Sequence, residues 1–257
     1  MGSISGQVRS RHRFAPLGSE GSGEHGGDDM QLKGIVFDMP HRRLTNGGQE
    51  GEPQNYMFGQ MRSAVGIPKE IDILDHIHSL PSTQQEEVFA KIQAIERDAM
   101  AKQVPQPGLV TLMEYLDERR IPKAICTRNF DAPVAHLLAN HLPEHIKPFA
   151  PIITRDFKPP KPSPAGILHI AHAWGITDTA AVPQTPAGGR PIPLIMVGDS
   201  IDDMVAGYEA GAMTVLLRSE GKEELEVDPR TDVVISRLDE LIGLLDKGLE
   251  SRRSRAD

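Results

Sequence analysis

Pro193-Leu-Ile-Met-Val197 runs directly into Gly198-Asp-Ser-Ile-Asp-Asp203-Met-Val-Ala-Gly207-Tyr-Glu-Ala-Gly211, and this stretch decides the fold. A short, unbroken apolar run bounded by turn residues reads as a strand buried on both faces. The polar Gly198-Asp-Ser turn ends the strand, and a helix follows that closes near Gly211. A strand apolar throughout, handing carboxylates to the start of a helix, is one βα step of a parallel sheet.

The same pattern recurs outward from there. Upstream, Leu32-Lys-Gly-Ile-Val-Phe-Asp38 is an apolar run ending in a carboxylate, and Pro122-Lys-Ala-Ile-Cys-Thr127 is another strand. Ile152-Ile153, Met213–Leu217 and Val233–Ile235 supply further strands. Helices are expected over Leu109–Arg120, Ala132–His141, Pro164–Trp174 and Leu238–Leu249. This alternation predicts an α/β fold, a Rossmann-like doubly wound parallel sheet core. From Tyr56 to about Lys102 the chain reads helical, punctuated by Pro68 and Pro81, with Val88, Ile92, Ile95 and Ala99 on one face. That stretch falls between the first strand and its next helix, where an inserted small helical cap belongs.

The expected organisation is then a disordered tail over 1–31 and a core over 32–55 and 105–250. An irregular insertion over 40–53 interrupts the core, the helical cap covers 56–104, and a second tail covers 251–257. Pro40 to Pro53 has no period and many breakers, so it reads as a loop, as does Ala180 to Pro193.

Composition bounds the function. The 257 residues carry 28 Lys+Arg against 36 Asp+Glu, a net charge of −8, which argues against a nucleic-acid binder. No stretch approaches the ~18 uninterrupted apolar residues of a membrane span. With one cysteine, Cys126, there is no internal disulfide and no Cys-cluster metal site, which fits a reducing compartment. No secretory h-region is present, and the expected location is cytoplasmic. Arg9, Arg11 and Arg13 ahead of the first acid, Glu20, give the N-terminus one trait of a mitochondrial transit peptide.

Four chemically distinct positions follow strands: Asp38, Thr127, Lys161 and the Asp199/Asp203 pair. In an open α/β sheet the carboxyl ends of the strands line the ligand crevice, so all four can converge. Singly each has an ordinary explanation. Thr127 suits a helix N-cap, Lys161 a solvated charge, and Asp199-Ser200 a cap with Asp202 and Asp203 complementing the helix dipole. Together they form a coherent chemistry. Asp38 and Asp199 make a hard-oxygen site suited to Mg²⁺. Lys161 would offset the charge of an incoming phosphate, and Thr127 would donate a hydrogen bond to a phosphoryl oxygen. A carboxylate beside Mg²⁺ can attack phosphorus, giving an aspartyl-phosphate that water hydrolyses.

On these residues the chain resembles the haloacid-dehalogenase-like hydrolase superfamily, mostly aspartyl-nucleophile phosphatases. The resemblance covers about residues 32–245. It is carried by Ile35-Val-Phe-Asp38, Ile125-Cys-Thr127, Lys161-Pro-Ser-Pro164 and, most specifically, Gly198 to Gly211. That last motif is similar to the phosphoglycolate-phosphatase and β-phosphoglucomutase branch, which has a helical cap after the first motif. The resemblance implies Asp38 as nucleophile and Mg²⁺ ligand, Asp199 as a second ligand and Asp203 as support for the metal. It implies Thr127 binding phosphate and Lys161 neutralising it. The implied substrate is a small phosphorylated metabolite, with hydrolysis as the reaction or phosphoryl transfer between sugar hydroxyls as a weaker option.

One motif departs from the family. Where the family has Asp-x-Asp-Gly-Thr, this chain has Asp38-Met39-Pro40-His41-Arg42. Pro40 keeps the backbone carbonyl that is also a metal ligand in the family, but not the carboxylate that acts as general acid and base. Such catalysis is worth about 10²–10⁴-fold, so the chain as written is expected to be crippled. Either it is a pseudo-phosphatase that binds a phosphorylated ligand or partner, or Pro40 to about Gly51 is foreign sequence laid across the motif. Phe37-Asp-Met39 and Glu52-Pro-Gln-Asn-Tyr56 read as continuous once that stretch is removed, which favours the second explanation.

Other signals are weaker. His76/His78 and His169/His172 lack a third ligand at metal spacing, so surface or core histidines are expected. The ten methionines and Trp174 read as packing. No Walker A loop and no Gly-x-Gly-x-x-Gly fingerprint follows a strand. A phospho-receiver domain would place its acidic pair after the first strand and needs about half this length.

Overall fold

The computed structural model describes residues 13–18, 29–38, 41–43, 53–71, 73–101, 103–178 and 191–252. Within them the chain forms two compact units, one from residues 1–40, 107–128 and 143–257, the other from 41–106 and 129–142.

The first unit is built on six parallel strands. They are β2 (Gly34–Phe37), β5 (Lys123–Cys126), β6 (Ile152–Ile153), β7 (Leu194–Gly198), β8 (Met213–Leu217) and β9 (Val233–Ile235), in spatial order β6-β5-β2-β7-β8-β9. Every residue of β2, β5, β7 and β8 is buried, in runs that are apolar apart from Lys123 and Thr214. Alternation along the strands sorts the side chains by face. Val36, Ala124, Cys126, Leu194 and Met196 share a buried cluster with Ile167, Ile170 and Ala171 of α6 (Ala165–Ala173) and Ala206 and Ala210 of α7 (Ile201–Ala210). Ile35, Phe37, Ile125, Ile195 and Val197, also buried, occupy the opposite face. The helices α4 (Leu109–Glu118) and α8 (Glu240–Lys247) pack on each other, with Leu112, Leu116, Leu241 and Leu245 essentially inaccessible.

The doubly wound parallel core is therefore as the sequence implies, and its winding locates the crevice. After β2 the chain places β5 and β6 on one side, then returns to place β7, β8 and β9 on the other. The switch point lies at β2, where ligands collect beyond the carboxyl ends of the strands.

The second unit is mainly helical: α1 (Pro53–Val65), α2 (Ile73–Ser79), α3 (Ser82–Ala101) and α5 (Asp131–His141). Its core is Met61, Ile73, Ile77 and Ile92, with Val88 and Ile95 packed against it as the helical period implies. A two-stranded antiparallel ladder, β3 (His41–Arg43) with β4 (Gln103–Pro105), joins the two ends of the first insertion, pairing His41 with Pro105 and Arg43 with Gln103.

Several expectations change. His41–Arg43, read as loop, is a strand, because pairing with β4 supplies a ladder that no hydrophobic period announces. Helix α5, assigned from sequence to the core, belongs to the second unit, where it packs on α3 and β4. The tail expected over 1–31 contains β1 (Arg13–Phe14), paired antiparallel with β10 (Leu249–Glu250), and Phe14 is 1% exposed. Phe14 is the residue of this segment that the core captures. The last helix stops at Lys247 because Gly248 turns to φ 85°, releasing Leu249 into β10. Ser251, expected in the second tail, is fully buried and donates to the Asp232 carboxylate. Pro40, most of the 40–53 insertion and the loop expected over 180–193 up to residue 190 lie outside the described residues. No helix among the described residues is long and apolar enough to cross a membrane.

Candidate active site

The strand ends set the site. Ile125, Phe37 and Val197 are in register across β5, β2 and β7, so the next residues of all three strands emerge at one level. Asp38 is still tied to the sheet, its N–H donating to the Val197 carbonyl at 2.8 Å. Thr127 is held likewise, its N–H donating to the Ile153 carbonyl at 2.8 Å, and it is buried. Gly198 ends β7, and Asp199 follows it.

Carboxylate oxygens of Asp38, Asp199 and Asp203 lie within 4.8 Å of one another. Lys161, from the proline-rich loop after β6, inserts among them. Its Nζ is 3.0 Å from Asp38 Oδ1 and 2.5 Å from Asp203 Oδ1, with its side chain 3% exposed. Burial alone would pull that ammonium down, but Asp203 and Asp38 outweigh it and hold Lys161 charged, above the ordinary lysine range.

Asp203 is wholly buried, and both of its oxygens are committed. Oδ1 accepts from Lys161, while Oδ2 accepts from the N–H of Asp199 (3.1 Å), the N–H of Ser200 (3.0 Å) and the Ser200 hydroxyl (2.7 Å). Burial pushes this carboxyl up, against the pull of Lys161. Every one of its four partners is a donor, which only the ionised form can satisfy, so we read the pair as ionic. The capping explanation thus holds for this turn, and the turn also contributes to the acidic cluster. Ser200 is the N-cap of α7 in a capping box with Asp203, and the same carboxylate anchors Lys161. Gly198 is required for the packing: a Cβ there would sit inside 3 Å of the Asp203 side chain.

The donor set fits a hard divalent cation. Asp38 and Asp199 remain partly accessible, at 15% and 31% side-chain exposure, and offer carboxylate oxygens. Asp203, with both oxygens already accepting hydrogen bonds, orients the Asp199-Ser200 turn and the lysine. Cys126 lies behind the site, and burial pushes its thiol up to about 11, so it is neutral packing there.

The sequence reading missed two cations at the rim. Lys222, beyond β8, donates from Nζ to the Asp199 carbonyl at 2.9 Å and lies 3.9 Å from its carboxylate. Arg128, directly after Thr127, pairs with Asp202. The rule that strand ends line the crevice applied to both positions. Neither sits in a recognisable motif.

A profile of haloacid dehalogenase-like hydrolases matches residues 32–211, from just before β2 to just past α7. The chain belongs to the haloacid dehalogenase-like hydrolase family. This hydrolase is 40% identical over 218 residues to an uncharacterized hydrolase of Saccharomyces cerevisiae, covering 83% of this chain and 91% of that one. It is 31% identical over 196 residues to a haloacid dehalogenase-like hydrolase domain-containing protein of Arabidopsis thaliana, covering 75% and 73%. Among solved structures, CbbY from Rhodobacter sphaeroides in complex with phosphate superposes with a TM-score of 0.54 at 16% identity, over 82% of this chain and 96% of that one. At that identity the likeness is one of fold.

Proposed function

We propose that this hydrolase is a Mg²⁺-dependent phosphomonoesterase acting on a small phosphorylated metabolite through an aspartyl-phosphate on Asp38. The observation that carries this reading is Lys161, a buried permanent cation held against Asp38 by Asp203. A fixed positive charge beside a partly exposed carboxylate is what an attack on a phosphate dianion needs, because it offsets the repulsion between nucleophile and substrate. Asp38 Oδ attacks phosphorus as the ester P–O bond breaks, the bonding pair leaving with the alcohol oxygen, which takes a proton from solvent; water then attacks phosphorus, giving up a proton to solvent, to release phosphate and restore the carboxylate. Asp38 and Asp199 would hold the metal, with the Pro40 carbonyl as a third donor and Asp203 supporting them. When bound, Mg²⁺ supplies charge stabilisation for the phosphoryl oxygens. Thr127 would donate to one of those oxygens. The recessed positions of Thr127 and Lys161 favour a slender phosphate group on a small molecule over a nucleic acid or membrane surface, in keeping with the acidic net charge. The lone buried thiol accords with a cytoplasmic setting.

The residue at position 40 favours a second reading, a chain that binds phosphorylated ligands without turning them over. Without a carboxylic acid there, an alkyl phosphate must leave as an unprotonated alkoxide, whereas an aryl phosphate leaves as a stabilised phenolate. Mg²⁺-dependent phosphate release from 4-nitrophenyl phosphate, with Asp38→Asn and EDTA as controls, separates the two readings. Turnover abolished by both controls, and at least about 10²-fold slower on alkyl phosphates, supports the phosphatase. Absence of turnover with Mg²⁺ binding retained in calorimetry overturns it in favour of the binding protein.

A further inference from the structure

Arg128 and Asp202 occupy an informative place in the topology. Arg128 leaves the end of β5 directly after Thr127, and Asp202 lies in the first turn of α7, beyond β7. Strand β2 runs between β5 and β7, so their ion pair joins the two segments flanking the strand end that carries Asp38. Its chain neighbours are Thr127 and Asp203, both buried in the phosphoryl subsite.

Stability does not explain the pair. The side chains are 51% and 26% exposed, and ion pairs of that exposure contribute about 0–1 kcal/mol. Asp202 is already favoured by the amino end of α7 and has no need of a guanidinium. Arg128 also has donors to spare. Only Nη1 is engaged, and its remaining N–H groups meet no acceptor among the described residues. Lys161, by contrast, is buried between two carboxylates and can serve only the phosphoryl group at Asp38.

We infer that Arg128 recognises a second anionic group on the substrate, a carboxylate or a second phosphate, by exchanging Asp202 for it. The inference rests on the phosphoryl-subsite reading above and adds a substrate class to it: small molecules with an anion at each end. A planar fork with free donors favours bidentate capture of either group. Asp202 loses little in the exchange, since the helix terminus still stabilises its charge.

The test is calorimetry on the full chain with Mg²⁺, using phosphonates, whose C–P bond is not an ester and does not turn over. Propylphosphonate has one anionic end. The ω-phosphonocarboxylates and α,ω-diphosphonates with one to three methylenes have two, and the two series separate carboxylate from phosphate as the second group. The best two-ended ligand is expected to bind at least about 10-fold tighter than propylphosphonate, in line with a charge-assisted bidentate contact. Arg128→Ala should erase that preference while leaving propylphosphonate within about 3-fold, and Arg128→Lys, which keeps the charge without the fork, should retain part of it. Asp202→Asn should leave the preference intact or enlarge it. Equal binding of one-ended and two-ended ligands by the wild type, or a preference that survives Arg128→Ala, overturns the inference. Binding of no phosphonate overturns the phosphoryl-subsite reading, and this one with it.

Discussion

Replacing Asp203 by asparagine changes one oxygen to an amide nitrogen, yet the surroundings make it a severe perturbation. In the native site all four partners of this fully buried carboxylate are donors. In Asp203→Asn the new amide must point either at the Lys161 ammonium or at the two N–H groups and the hydroxyl of the Asp199-Ser200 turn. Both orientations set donor against donor. Lys161, 3% exposed, is left with Asp38 as its remaining counter-charge. Breaking a buried pair by removing one partner costs about 3–5 kcal/mol. At about 2–4 °C per kcal/mol for a chain of this size, Tm should fall by about 6–20 °C. Asp202→Asn is the internal control, because its partner is half exposed and its cost should stay within about 1 kcal/mol. Differential scanning calorimetry of the two variants in metal-free buffer decides the matter. If Asp203→Asn melts within about 2 °C of Asp202→Asn, Asp203 is not the anchor of Lys161 and the account of the site fails.

Other outcomes follow from the same geometry. The thiol of Cys126, raised to about 11 by burial, should be unreactive towards a disulfide reagent at pH 8 in the folded protein and titrate as one group in denaturant; rapid modification of the native chain would contradict the packing. Gly34→Ala places a Cβ inside 3 Å of the Trp174 indole, so it should cost about 1–3 kcal/mol and shift the emission of the sole tryptophan to the red; unchanged fluorescence would show that the contact is absent. Asp228, whose carboxyl Arg230 holds below its ordinary range, contributes stability that is present above the unfolded pKa near 4 and lost as pH falls through the folded value. Asp228→Asn should therefore cost up to about 1 kcal/mol at neutral pH, the gap closing below pH 4, and denaturant melts that show a gap widening in acid would reverse the sign.

How far the sequence could be read depended on whether the controlling interactions were local. β2, β5 and β7 were legible because a strand buried on both faces must be mainly apolar, and a polar residue follows each run. A cap at Asp199-Ser200 was legible for a similar reason, but Asp203 was read only as complementing the helix dipole, and its reciprocal part in a capping box came from the structure. His41–Arg43 was not, because its strand character comes from Gln103–Pro105, some sixty residues away. The placement of α5 was hidden likewise. Its apolar residues Pro133, Val134 and Leu137 show that the helix buries a face, but not that the face meets α3. At the site, Asp38, Thr127, Lys161 and Asp199 could be picked out as chemistry at strand ends. The division of labour between Asp199 and Asp203 came only with the family resemblance, since the residues by themselves do not say which oxygens are already occupied.

The boundaries between the two units fall at telling places. The chain leaves the first unit after residue 40, two past Asp38, and again after residue 128, one past Thr127; it returns at Pro107 and Pro143. Both departures thus start from the residues proposed to act on phosphorus. A designer who wished to exchange the helical unit for another would have to cut and rejoin the chain within two residues of Asp38 and immediately beside Thr127. Each splice therefore also resets the tether of Asp38 or of Thr127. Successful chimeras of this hydrolase should be those that leave residues 38–40 and 127–128 with the sheet and splice beyond them.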